Sequence, residues 1–148
     1  MMDMFGRLRI GHQTPKLEAM AEVKLFDNLD PHQRKVLAQY LDEVSVEAGR
    51  TLVTEGRRNG TFWIVVAGEA DVLVGGELRR RIGPGGWFGA TSMLDGRPAS
   101  ATVVSRTPLH ALVAGHEQFR ALEGNRTVAM RLTAEALERL RSDLAHAS

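Results

Sequence analysis

The chain has 148 residues, a length that suits one domain with a sizeable core and short appendages. Its formal net charge of +1 excludes a strong overall attraction to nucleic acids or acidic membranes, and the absence of cysteine excludes disulfides, thiol catalysis and cysteine-ligated metals. No apolar run approaches the length of a membrane span, and the first ten residues lack the apolar core of a signal peptide. We therefore expect a cytoplasmic protein without a membrane partner.

Helices are predicted at the start of the chain. Residues 1–14 show no period and predict a flexible arm, so the domain itself is expected over residues 15–148. Apolar residues at helical spacing predict a first helix from Pro15 to about Val23. Asp30 and Pro31 predict the start of a second helix, because the carboxylate can cap free N–H groups and proline fits the first helical position. The predicted buried stripe of this helix is Val36, Leu37, Tyr40 and Leu41.

Short strands punctuated by glycine are predicted in the middle of the chain. They begin near Glu43 and at Leu52, and continue as Thr61 to Ala67, Ala70 to Val74 and Leu78 to Ile82. The strand at Thr61 to Ala67 is apolar on both faces, which predicts that both are covered. Gly75 and Gly76 predict a tight hairpin. Strands of this length and spacing are typical of a β-barrel or β-roll.

The segment from Gly85 to Val103 has the layout of a phosphate-holding loop. Glycines at its start permit a tight turn and a close approach to a ligand, and Thr91 to Leu94 can form one helical turn whose free N–H groups suit an anion. Gly96 and Pro98 end that turn, and Ala101 to Val104 predict a strand. The chain then continues with a predicted strand at Thr107 to Ala114, a short helix through Phe119 and Leu122, and a long helix from about Arg126 to His146.

This segment resembles the phosphate-binding segment of the cyclic-nucleotide-binding domain family, which includes the bacterial catabolite activator and the protein kinase A regulatory subunits. The positions that match the family pattern without a gap are Phe88, Gly89, Ser100, Ala101, Thr102 and Val103. The resemblance extends from about Leu25 to Leu144. It implies an α+β fold, a jelly-roll-like β-roll of about eight strands flanked by N-terminal helices and a long C-terminal helix.

Two family contacts are replaced by alanine. The family's glutamate, which holds the ribose 2′-hydroxyl, is Ala90, and its arginine, which pairs with the cyclic phosphate, is Ala99. Removing one member of a buried charge pair costs about 2–5 kcal/mol, and the lost hydroxyl–carboxylate bond adds about 1.5–3 kcal/mol. We therefore expect weak or absent cyclic AMP binding. The resemblance places the ligand-contact positions at Gly89, Ala90, Thr91, Ser92, Arg97, Ala99, Ser100 and Ala101.

Three interpretations of this segment stay open at the level of sequence. The chain is a regulatory module that works through protein contacts, or it is a genuine cyclic AMP or cyclic GMP sensor that uses backbone amides, Ser100 and Arg97. Arg97 lies two positions before Ala99, so it is either a substitute for the missing arginine or a solvent-facing loop residue. Alanine at both contact positions is also what an engineered, binding-deficient variant would carry.

No catalytic or metal-binding pattern accompanies the segment. The histidines are scattered without ligand spacing, and the serines lack a recognisable base partner, so we expect neither an enzyme, a metal site nor a cofactor. A cyclic nucleotide would be a regulatory ligand. The run Arg79 to Arg81 predicts a solvated strand edge, and no helix–turn–helix pattern follows the long helix, so we expect no nucleic-acid partner.

The long helix carries two apolar rows. One row has the alternating three- and four-residue spacing of a coiled-coil seam, and it consists of Met130, Thr133, Leu137, Leu140 and Leu144. The neighbouring row is Ala129, Leu132 and Ala136. One row can pack on the β-roll while the other meets a partner, or both can form a single wide stripe buried on their own domain. The function that we expect is a stand-alone, non-enzymatic regulatory or scaffolding module with an unidentified protein partner and a homodimer through this helix.

Overall fold

The computed structural model describes residues 16–147, with side chains described as far as Ala145. The arm predicted at residues 1–14 lies outside the described residues. The described part begins with helix α1 (Lys16–Ala21), a single 3₁₀ turn at Lys24–Phe26 and helix α2 (Pro31–Ala38). The predicted start of α2 is confirmed, since the Gln33 N–H donates to Asp30 Oδ1 at 2.8 Å and the Asp30 N–H donates to Gln33 Oε1 at 3.1 Å. This reciprocal capping satisfies two donors that the helix end would leave unpaired.

The buried stripe predicted for α2 is wrong at one position. Val36 is 38% exposed, because the buried face of the helix consists of Leu37 and Ala38. Leu41 is fully buried but lies beyond the end of the helix, where Lys16 Nζ donates to its carbonyl and to that of Ala38 at 2.8 Å. The helix therefore ends against a cation from α1 rather than continuing through Leu41.

Two antiparallel four-stranded sheets form the body of the domain. The strands of the described chain are β1 (Asp42–Val46), β2 (Thr51–Val53), β3 (Phe62–Ala67), β4 (Ala70–Val74), β5 (Glu77–Ile82), β6 (Trp87–Phe88), β7 (Thr102–Ser105) and β8 (Leu109–Ala114). One sheet has the order β1-β8-β3-β6 and the other the order β2-β7-β4-β5. The predicted β-roll is confirmed. The short strand β6 was not predicted, because glycines surround its two residues and it is recognisable only by its pairing with β3.

Strand β3 separates two apolar cores, as its two apolar faces predict. Phe62 and Ile64 lie in a helix-side core beneath the helices. The ring of Phe62 packs edge-on against that of Phe119, with the ring centroids 5.1 Å apart. Trp63 and Val65 lie in an inter-sheet core, where Trp63 stacks on Phe88 at 5.7 Å. The residues that follow Phe88 are therefore fixed to both cores at the start of the predicted phosphate-holding loop.

Three further helices complete the fold: α3 (Ala90–Asp95), α4 (His116–Glu123) and α5 (Arg126–Ala147). Val128 and Leu132 of α5 are buried in the helix-side core. Arg131 adds a polar attachment, since its Nη1 donates to the carbonyls of the 3₁₀ region at Lys24, Leu25 and Asp27 at 3.3, 3.0 and 2.6 Å. In the part of the chain that the structure describes, no helix is long and apolar enough to cross a membrane.

Candidate functional site

The turn before α3 requires glycine. Gly89 has a φ of +89°, and a Cβ there would lie 2.5 Å from the Thr61 carbonyl oxygen and 2.9 Å from Asn59 Nδ2. The Asn59 amide holds this contact together by donating to the carbonyls of Thr61 at 2.9 Å and Gly89 at 3.0 Å. A side chain at residue 89 would therefore push the start of α3 away from β3.

A cavity of about 230 Å³ lies between α3, the loop that follows it, the second sheet and α5. Seven of the eight contact positions predicted from the sequence line it: Gly89, Thr91, Ser92, Arg97, Ala99, Ser100 and Ala101. The strands contribute Val53, Val72, Arg80, Phe88 and Val103, and α5 contributes Ala136, Arg139, Leu140 and Asp143. The segment that resembles a phosphate-holding loop thus forms one wall, and residues distant in sequence form the others.

The two alanines occupy different environments. Ala99 lines the cavity and is 7% exposed, and its backbone is fixed on both sides because its N–H donates to the Arg57 carbonyl and its carbonyl accepts from the Gly56 N–H, each at 2.8 Å. Ala90 is also 7% exposed, but it is absent from the cavity wall and packs in the helix-side core. Neither position presents a charge to the cavity.

Arg97 and Ser100 lie at the rim of the cavity. Both residues are exposed while lining it, and the Arg97 backbone N–H donates to Asp95 Oδ1 at 2.9 Å in the loop after α3. Both interpretations of Arg97 therefore describe part of its position, since it faces solvent and also borders the space where a ligand would lie.

The prediction of a solvated edge for the arginine run is wrong for two of its members. Arg81 fits it, with a side chain that is 47% exposed and pairs with Asp71 Oδ1 at 3.0 Å. Arg79 is the extra residue of a β-bulge in the pairing of β5 with β4, and its side chain is 19% exposed and lies 3.7 Å from Asp143 of α5. Arg80 lines the cavity. The bulge breaks the simple alternation of the strand, so Arg79 and Arg80 both face groups of α5.

We call Arg79, Arg80, Glu135, Arg139 and Asp143 the β5–α5 charge cluster. Arg139 forms an ion pair with Glu135 one helical turn earlier, and its Nη2 donates to the Trp87 carbonyl at 2.9 Å. Arg80 Nε is buried and makes no hydrogen bond to any residue that the structure describes. The cluster therefore contains one guanidinium group whose inner N–H lacks an acceptor.

Burial shifts two pKa values in the cluster. The pKa of Arg80 is lowered first by its own burial and then by the neighbouring Arg139, effects that outweigh the carboxylates of Asp143 and Glu135. The pKa of Glu135 is raised by burial, although Arg139 and Arg80 act in the opposite direction. For both groups, burial therefore disfavours the charged form, and the neighbouring opposite charges offset this effect only in part. In the described residues, no group of three or more histidine or acidic side chains could hold a metal ion.

The two apolar rows of α5 have different environments. Leu132 is 1% exposed, and Ala129 and Ala136 are half-buried, so this row packs on the domain. The row with coiled-coil spacing faces outward in the chain as described, and its exposed members are Met130, Thr133, Leu137, Leu140 and Leu144. This arrangement contradicts a single wide stripe buried on its own domain. Leu140 has a second role, because it also borders the cavity.

Comparisons with known proteins agree with this fold. Residues 43–126 match the family model described as cyclic nucleotide-binding domain. The cAMP-dependent protein kinase regulatory subunit of Aspergillus niger is 32% identical over 111 residues, which is 71% of this chain and 26% of that protein. The chain spans about a quarter of the length of such curated relatives.

Two solved structures are similar as well. The catabolite activator protein of Thermus thermophilus is 28% identical, with a TM-score of 0.72 over 82% of this chain and 60% of that chain. The regulatory domain of Toxoplasma gondii PKA, solved with cAMP, is 29% identical, with a TM-score of 0.61 over 71% of this chain and 42% of that chain.

Proposed function

Since the chain belongs to the cyclic nucleotide-binding domain family, we propose that it is a non-enzymatic regulatory module in which cyclic nucleotide binding in the family manner is weak or lost. The observation that carries this proposal is the position of Ala99. It lies on the cavity wall where the resemblance implies an arginine for the cyclic phosphate. A phosphodiester that enters the cavity would meet no cation at that position.

The size of the loss follows from the missing charge pair. Removing the cationic partner of a desolvated anion costs about 2–5 kcal/mol, which corresponds to roughly 30- to several thousand-fold in affinity. The second family contact is also missing, because Ala90 packs its methyl group into the helix-side core and offers no carboxylate to a ribose. A site that would bind at micromolar concentrations is therefore expected to bind at millimolar concentrations or more weakly.

Isothermal titration calorimetry of the full 148-residue chain with cyclic AMP and with cyclic GMP tests this proposal. The expected result is a dissociation constant of about 1 mM or weaker for both nucleotides. Low-micromolar binding of either one would overturn it.

A second candidate is a cyclic nucleotide sensor with a rearranged contact. It is favoured by the cavity of about 230 Å³ that remains next to Gly89, with Arg97 and Ser100 at its rim. If Arg97 has replaced the missing arginine, Arg97→Ala should abolish binding of cyclic AMP or cyclic GMP. The matched control is Arg58→Ala, since Arg58 is exposed and does not line the cavity. Equal affinities of the two variants would exclude this role for Arg97.

We further propose that the module forms a homodimer through α5. The exposed row from Met130 to Leu144 supports this, because a seam with three- and four-residue spacing is complementary to a second copy of itself. Light scattering after size-exclusion chromatography should give twice the chain mass, and Leu137→Glu should give the mass of one chain. Leu17→Glu is the control, since Leu17 is 41% exposed and lies on α1. A single-chain mass for the unmodified protein at high concentration would refute the dimer.

A further inference from the structure

We propose that the cavity takes a small organic anion with an apolar body, and that Arg80 of β5 and Arg139 of α5 hold its charged group. This inference rests on the proposed function, because it concerns what the same cavity accepts once the family's phosphate contact is missing. The anion would lie against the wall formed by the β5–α5 charge cluster rather than on the α3 side of the cavity.

The first argument is the position of the two guanidinium groups. Arg80 and Arg139 both line the cavity, although they come from different elements that are far apart in the sequence. The residues on either side of Arg80 do not line it: Arg79 lies 3.7 Å from Asp143, and Arg81 pairs with Asp71 on the exposed side of the strand. Two arginines that line one cavity are suited to bind a carboxylate or phosphate.

The second argument is the unused donor of Arg80. Its Nε is buried and lacks an acceptor among the described residues. A cation without a hydrogen-bonding partner is poorly compensated in the folded protein, and an anion in the cavity that Arg80 lines would compensate its charge. Arg139 differs, because Glu135 and the Trp87 carbonyl already engage it. Arg80 is therefore the principal contact, and Arg139 contributes mainly through its charge.

The third argument is the balance of charge around the cavity. The cluster combines the three arginines Arg79, Arg80 and Arg139 with the two carboxylates of Glu135 and Asp143, which leaves one positive charge in excess. Burial is the main cause of the lowered pKa of Arg80, and the charge of Arg139 adds to it, so that the two carboxylates do not offset these effects. An anionic group at this wall would offset the excess positive charge of the cluster.

The remaining walls determine the rest of the ligand. The floor is formed by apolar strand residues, and Leu140 of α5 borders the opposite side. A cavity of about 230 Å³ exceeds the roughly 150 Å³ that accommodates benzene in an apolar protein cavity. Asp95 and Asp143 also line it, so a second anionic group would be repelled. These walls therefore favour a ligand with one ring or a short aliphatic body and its charge at one end.

The experiment is an NMR titration of the ¹⁵N-labelled full chain with phenyl phosphate, followed through the arginine Nε–H signals. Phenol is the uncharged control with the same ring. The Arg80 Nε–H signal, assigned by its loss in Arg80→Lys, should shift in a saturable manner with phenyl phosphate and not with phenol. Arg80→Met should weaken binding by about tenfold or more, because it removes charge-assisted hydrogen bonds. Arg81→Met, a change in the next residue of the same strand, should leave the affinity unchanged.

Three results would overturn the inference. One is an Arg80 signal that does not respond, and another is an equal response to phenol, which would mean that the cavity selects only apolar bodies. The third is a response confined to the backbone amides from Gly89 to Ser92, with the same affinity in Arg80→Met and the unmodified chain. The titration of the unmodified chain remains decisive if Arg80→Met fails to fold. Tight cyclic AMP binding in calorimetry would refute the proposed function alone, since it leaves the response of Arg80 to phenyl phosphate as a separate measurement.

Discussion

A single substitution, Ala99→Arg, should restore part of the affinity for cyclic AMP. The Ala99 backbone is fixed by hydrogen bonds to Arg57 and Gly56, and the residue lines the cavity at the edge of the inter-sheet core. An arginine there would extend into the space next to the first turn of α3. It would supply the cation that the family resemblance implies and that the present side chain lacks.

The size of the gain in affinity depends on how far solvent is excluded from residue 99. Ala99 itself is 7% exposed, but its neighbour Ser100 and the nearby Arg97 are exposed, so a guanidinium group at residue 99 would be partly solvated. Charge-assisted hydrogen bonds in such a setting contribute about 1.5–3 kcal/mol, or roughly 10- to 150-fold in affinity. Arg80 and Arg139 also line the cavity, so the variant should be less stable than the unmodified chain until an anion binds.

Calorimetric titration with cyclic AMP measures the gain directly. Ala99→Met is the matched control, because it adds a side chain of similar length without charge, and it should not improve binding. If Ala99→Arg binds no better than Ala99→Met, the missing arginine is not what limits affinity. Adding Ala90→Glu should bring no further gain and should lower the free energy of unfolding, since residue 90 faces the helix-side core. A large further gain would instead favour an engineered site whose pocket is otherwise intact.

Three further predictions concern stability. Gly96→Ala should lower the free energy of unfolding by about 1–2 kcal/mol, because the φ of +71° at this residue disfavours a side chain. Gly89→Ala should lower it by about 1–3 kcal/mol more in urea unfolding, since a Cβ at residue 89 also collides with backbone. Equal losses in the two variants would argue against the contact. Arg131→Met should lower the free energy of unfolding by about 1.5–3 kcal/mol, because it removes the hydrogen bonds to the backbone carbonyls. Arg141→Met should change the free energy of unfolding by no more than about 0.5 kcal/mol, because the Arg141 side chain is 78% exposed. The pKa of Glu135 is raised by burial, so the folded state binds its proton more tightly than the unfolded state does. The unmodified chain should therefore lose stability relative to Glu135→Gln as pH increases from 4.5. A gain in its relative stability would contradict the shift.

The fold could be predicted from local signals. The cap at Asp30, the hairpin glycines and the two-sided apolar pattern of β3 each follow from short-range chemistry, and the structure contains the corresponding elements. The prediction for Val36 is wrong because the rest of the domain covers Leu37 and Ala38 of α2 and leaves Val36 exposed. Strand β6 escapes prediction because two residues between glycines become a strand only through pairing with β3. Both departures arise from tertiary contacts.

The sequence predicts one wall of the candidate site but not the opposite wall, and the difference has a physical cause. The wall from Gly89 to Ala101 is continuous in sequence, so the spacing of its residues is enough to indicate a ligand-contact segment. The opposite wall depends on a bulge in β5 that follows from the register against β4, and on the placement of α5 by buried leucine and valine residues. No property of the run Arg79 to Arg81 distinguishes its middle member in the sequence alone.

This difference changes what the loss of the two family charges implies. A substitution to alanine at residue 99 removes a cation from one wall, yet the cavity remains open and two arginines border it from the other side. Arg80 lines this cavity, and its Nε makes no hydrogen bond to any described residue. The cavity therefore keeps two arginines, Arg80 and Arg139, on its wall although residue 99 carries no charge.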